Sequence, residues 1–178
     1  MTGVVGALWG LVGVSLLLCS AIYRLTLIVI DSTSYRYSWY HWIALASSVL
    51  CMAYAEGYRA FQKGFSPRVA ARARYLRSHP RVLYILGAPL FCMGYFHAPR
   101  KRRITSLAVT AGIVVLVFWV RLLEQPWRGI VDLGVVVGLA WGLISLLAFG
   151  LLSFTSKGFS YSPEVPEANG RNSVRDIR

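Results

Sequence analysis

The chain has 178 residues, 56% of them apolar and only 15% charged, with a mean hydropathy of +0.55 and a net charge of +12. So apolar a chain with so few charges lies outside the range of soluble domains and points to a membrane protein that crosses several times. No Asp or Glu occurs between positions 57 and 123, where Arg59, Lys63, Arg68, Arg72, Arg74, Arg77, Arg81, Arg100, Lys101, Arg102, Arg103 and Arg121 make twelve cations, while the remaining residues hold seven cations and seven acids. The net charge thus comes from the middle third. Because those basic loops flank apolar runs, they suit anionic lipid headgroups and not nucleic acid.

The first apolar run, 3–30, carries one charge, Arg24. A helix needs about 20 residues to cross a hydrocarbon core about 30 Å thick, so one span is predicted at about 4–24, with 25–30 a tilted extension or an interfacial segment. No Lys or Arg precedes the run, which argues against a cleaved signal peptide. Tyr35, Tyr37, Trp39, Tyr40 and Trp42 then form an interfacial aromatic belt at the start of a second span, about 39–58. Ser66-Pro67 reads as an N-cap followed by proline at the first helical position, and His79-Pro80 as a stop. Between them Val69, Ala73 and Leu76 share one face among arginines, which predicts a short amphipathic basic helix on the membrane surface.

Residues 82–98 are apolar but number only 17 and include Gly87, Pro89 and Gly94, so they form either a re-entrant segment or a short fifth span. Counting Lys and Arg on each side separates the two. Five spans leave nine cations inside and ten outside, whereas four spans with a re-entrant segment leave fifteen inside and four outside, the bias that short cytoplasmic loops carry. Spans three and four follow at about 104–123 and 129–154, joined by a tight outer turn, and 156–178 reads as a flexible cytoplasmic tail. The expected fold is an all-α integral membrane domain over 1–155, with four transmembrane helices in two hairpins and the basic helix and re-entrant segment between spans two and three. The expected location is a bacterial inner (plasma) membrane, with both termini cytoplasmic.

Gly134, Gly138 and Gly142 recur every four residues in the last span, extended by Ser145, and Gly6 and Gly10 repeat the spacing in the first. Small residues so spaced let helices approach closely, either by packing the first span on the last or as the seam of a homo-oligomer. Glu56 is expected near the cytoplasmic end of its span with Arg59 one turn later, and Asp132 is expected to pair with Arg121 across the last hairpin. No ionisable side chain is expected at a midplane, which argues against a proton-coupled transporter. His41 falls at the outer side and His79 and His97 at the inner, so no bis-histidine haem site is expected. There is no HExxH or Cys/His metal spacing, and Cys19, Cys51 and Cys92 are expected as free buried thiols. No metal or cofactor is therefore expected.

Arg77-Ser78-His79-Pro80, followed by Tyr84, resembles the Arg-His-Pro-x-Tyr stretch of the integral membrane methyltransferases that modify isoprenylcysteine or phospholipids. That resemblance implies S-adenosylmethionine held at the cytoplasmic face near His79, and a transferase acting on lipid with His79 and Glu56 as its acid–base groups. Ser78 is inserted, Tyr84 stands two positions late, and the family's paired acids are absent.

The remaining feature is a collar of eleven cations over 59–103 around the re-entrant segment. It suggests a pocket open to the cytoplasm with Glu56 and Arg59 at its rim, and Arg68, Arg72, Arg77, His79, Arg81, Arg100 and Arg102 as further ligand contacts. The leading expectation is a non-enzymatic protein that binds or moves an anionic or amphiphilic ligand, or serves as an accessory subunit of a larger membrane complex.

Overall fold

The computed structural model describes residues 2–79, 82–96, 98–155 and 161–163, and among them the only regular structure is helix. In order these are α1 (Thr2–Ser32), α2 (Trp39–Met52), a π-helical segment (Ala53–Phe65), α3 (Ser66–Ser78), α4 (Val82–Leu86), α5 (Ala88–Met93), α6 (Arg100–Arg121) and α7 (Trp127–Thr155). Three stretches are long and apolar enough to cross a membrane: α1, α6 from Arg103 to Arg121, and α7. The second predicted span falls on α2 and the start of the π segment. With 14 residues, about 21 Å of helix, α2 does not cross on its own.

The break predicted at Ser66-Pro67 is not made. Met52, Ala53 and Ser66 all have right-handed helical backbone, so 39–78 forms one helical column whose hydrogen-bond register changes along its length. Proline lacks an N–H and its ring crowds the carbonyl four residues back. The wider π turn, in which the Ser66 N–H bonds the Phe61 carbonyl, absorbs Pro67 without ending the helix. Ser66 is accordingly no N-cap, and its hydroxyl instead shares a buried 2.8 Å hydrogen bond with that of Ser145.

Contacts fix the directions. Ser48, Glu56, Phe61 and Ser66 of the column meet Gly134, Gly138, Gly142 and Ser145 in turn, so the column and α7 run parallel. Gly129 meets Ser32 and Gly150 meets Leu11, so α1 runs antiparallel to both.

The core gathers Ala7 and Val14 of α1, Val69, Ala73 and Leu76 of α3, Ala88, Phe91 and Cys92 of α5, and Leu146 of α7. The predicted stripe of α3 is thus real, and it is buried because α3 is wedged between α1 and α7. Ala70, Ala71 and Arg72 are buried as well.

Residues 82–96 fold as two short helices that bend at Gly87 and lie along the first half of α1. Ile85 sits on Gly6, Ala88 and Cys92 on Gly10, and Pro89 on Gly13. In contrast, α6 stands off the bundle. It hardly touches α7, with which it was expected to form a packed hairpin, and no residue of its apolar stretch is buried. It is tied at its base by Ser106 Oγ, which donates to the Met93 carbonyl at 3.4 Å, and by a hydroxyl contact between Tyr95 and Thr110.

Candidate functional site

The glycines of α7 were expected to meet α1 or a second copy of the chain. The structure instead packs them within the chain against the column. Gly134 faces Ser48 and Met52, Gly138 faces Glu56 and Met52, and Gly142 faces the Phe61 ring. Gly57 returns the contact by receiving Trp141, whose Nε1–H donates to Gln62 Oε1 at 2.8 Å. The seam therefore matches a repeat of four on α7 with a repeat of five on the column, since hydrogen bonds from i to i+5 stack Glu56, Phe61 and Ser66 on one face. On α1, Gly6 faces Leu76 and Ile85 and Gly10 faces Cys92 and Ala88, so the two small-residue stripes serve different partners.

Glu56 is where the sequence reading changes most. It was placed near the cytoplasmic end beside Arg59, but the structure puts it mid-seam. Gly138, which it covers, follows Trp127 by eleven residues, about 17 Å of helix. Trp127 packs against Tyr40 and His41 at the aromatic end of the bundle. The carboxyl therefore lies along the bundle at about that distance from its aromatic end. Its Oε2 atom is buried with no hydrogen-bond partner. Arg59 is exposed, because the π turn swings it away from the face that Glu56 occupies.

The basic end divides into cations used internally and cations left outside. Arg72 is 3% exposed. Its Nη1 donates to the carbonyls of Phe91 (2.6 Å) and Phe96 (3.3 Å), its Nε to that of Pro163 (3.0 Å), and its guanidinium lies 5.0 Å from the Phe91 ring. Expected as a ligand contact, Arg72 instead binds the 91–96 stretch and part of the tail onto α3. The Nε–H of Arg68 donates to the Gly64 carbonyl. The side chains of Arg59, Lys63, Arg77, Arg100 and Arg103 are exposed, with Lys63 over the Tyr58 ring and Arg77 over that of Phe154. His79 is exposed and stacks on Tyr75 at 4.6 Å. Arg81, His97 and the side chains of Lys101 and Arg102 lie outside the described residues.

The cavity beside Arg72 holds about 10 Å³, room for one water and not for an amphiphile. Phe65, Arg68, Cys92, Gly94 and Pro163 line it, and Glu56 and Arg59 are not part of this cavity. Burial pushes the Cys92 thiol up to about 12, although the charge of Arg72 pulls it down, and so high a value removes it as a nucleophile. Cys19 and Cys51, expected to be buried, point outward from their helices. Of the tail expected to be flexible, only 161–163 is described. There Tyr161 packs edge-on against Phe149 and Pro163 accepts from Arg72.

At the aromatic end, Asp132 does not pair with Arg121. Arg128, one turn earlier on the same helix, lies 3.7 Å from its Oδ2, too long for a hydrogen bond, while Arg121 ends a helix that stands apart. His41 is buried among Tyr37, Tyr40 and Trp127, and its Nδ1 accepts the Ser38 N–H at 3.0 Å, which caps α2.

A comparison with known proteins finds no family model, no curated protein and no solved structure that matches this chain.

Proposed function

We propose that this chain is a four-span membrane protein with both termini cytoplasmic, and that its exposed inner cations bind the headgroup of an acidic lipid. The second span is the column from Trp39 inward, and α4–α5 form a segment that enters and leaves on the cytoplasmic side. The observation that carries the reading is the Arg72 clamp. By holding the Phe96 carbonyl, it joins the 100–103 cluster to the 59–77 cluster, since Arg100 follows Phe96 by four residues, at most about 14 Å of chain. Two basic loops thereby become one surface, from which Lys63, Arg77, Arg100 and Arg103 project. The transferase alternative gains no support from geometry. His79 and Glu56 are 23 residues apart on one column, on the order of 30 Å, so no single substrate group touches both.

Each cation near an anionic surface contributes about 1 kcal/mol. Changing Lys63, Arg77, Arg100 and Arg103 together to glutamine is therefore expected to lower enrichment of acidic over zwitterionic lipid by at least about tenfold. The readout is mass spectrometry of lipids retained by the purified protein, and raised salt is expected to mimic the variant. Equal enrichment in wild type and variant would sink the reading. Reporter fusions after Arg81 and after Arg103 are both expected on the cytoplasmic side, and an outside signal at Arg103 would restore the fifth span.

A further inference from the structure

We propose that Glu56 is a proton-binding site within the membrane, a carboxyl that takes up and releases a proton in the seam between the column and α7. This goes beyond lipid binding at the inner end and does not rest on it.

Four observations converge on the carboxyl. Its Oε2 is buried without a hydrogen-bond partner at half the depth of the bundle, where an unpaired carboxylate costs several kcal/mol and protonation removes the cost. Cations on the packed elements are engaged or turned away. Arg128 pairs with Asp132, Lys63 lies over Tyr58, Arg59 is exposed, and Arg68, the first cation of α3, donates to Gly64; on α2 His41 sits at the aromatic end and the Cys51 thiol points outward. On the α7 side of the carboxyl a larger cation has no room. The position of a Cβ on Gly138 lies 2.9 Å from Glu56 Oε2, 3.0 Å from its Cβ and 3.2 Å from the Met52 carbonyl oxygen, and no group of three or more His, Cys, Asp or Glu among the described residues could hold a metal. Finally, Glu56 lies within the π segment, whose register aims it at α7, and irregular helical turns of this kind recur where a buried side chain has work to do. On this proposal Glu56 supplies the midplane acid whose expected absence argued against proton coupling.

The test uses the full chain in lipid and a carbodiimide that partitions into hydrocarbon. A protonated carboxyl adds its O–H across the reagent's C=N bond, and the acyl group then moves from oxygen to nitrogen, leaving a stable adduct with no leaving group. Wild type is expected to carry the adduct on Glu56, mapped by peptide mass spectrometry, and Glu56→Gln none. Labelling is expected to fall about tenfold per pH unit once the proton is lost. A water-soluble carbodiimide is expected to label Glu56 at least about tenfold more slowly.

The infrared C=O band of a protonated carboxyl is a second readout that needs no variant, since it is expected to shift on transfer to heavy water and to disappear as pH rises. Absence of that band at neutral pH, or a band that neither exchanges nor titrates, would overturn the proposal. Equal labelling by both reagents would overturn it too, because Glu56 would then face water.

Discussion

Replacing Arg72 with alanine is expected to destabilise the protein by about 3 kcal/mol, a large share of the stability of a small domain. The guanidinium donates to three backbone carbonyls, those of Phe91, Phe96 and Pro163, from a buried position over the Phe91 ring. Hydrogen bonds from a charged group contribute about 1.5–3 kcal/mol each, but they share one side chain and do not add. Alanine leaves the carbonyls unpaired in a low-dielectric setting, and lysine cannot reproduce the fork. Arg72→Lys should therefore recover only part of the loss. The check is thermal unfolding in lipid nanodiscs together with maleimide labelling of Cys92, which is buried against α1 and should become reactive as the 91–96 stretch loosens. Unchanged melting and a protected Cys92 would show that other donors hold this loop.

Gly138→Leu is expected to cost a similar amount, about 3 kcal/mol, by forcing two helices apart. The first added carbon would lie 3.0 Å from Glu56 Cβ and 3.2 Å from the Met52 carbonyl oxygen, which is backbone and cannot rotate aside. Gly112→Leu is the matched control. Nothing lies within 4 Å of that position on α6, so the same change there should alter melting by less than about 0.5 kcal/mol. Equal effects at the two glycines would mean that the seam does not hold the fold together. Because Gly138 also shapes the space around Glu56, Gly138→Ala offers a milder step. It is expected to lower carbodiimide labelling of Glu56 while the chain still accumulates.

Much of this was legible in the sequence because hydrophobic runs and charge placement act locally. Long apolar stretches give α1, most of α6 and α7, since a helix in lipid satisfies its own backbone groups whatever its neighbours are. Aromatic residues near Trp39 and Trp127 mark one end, and the small-residue repeat of α7 marks a packing face. The stripe Val69, Ala73 and Leu76 likewise marks a buried face, although not its partner.

What the sequence could not supply is register and partnership. Helical spacing applied to 53–65 puts Glu56 with Arg59, whereas the π turn puts it with Phe61 and Ser66. Proline at position 67 gave the signal for this change, but it reads equally as a new helix start, and only packing against the glycines of α7 selects the continuous column. Charge alone likewise cannot say which arginines are free. Arg72 looks like its neighbours in sequence and becomes a clamp only because three carbonyls from 91, 96 and 163 converge on it.

The sequence by itself thus determined that this is a helical chain with three stretches long and apolar enough to cross a membrane and a basic middle third, because apolar length and charge placement act on each segment separately. Only the tertiary structure decided that Glu56 Oε2 is buried without a partner against Gly138 and that the basic clusters are tied together. Both depend on which groups from distant parts of the chain meet, and that is set by the fit of side chains into glycine gaps and not by the composition of any one stretch.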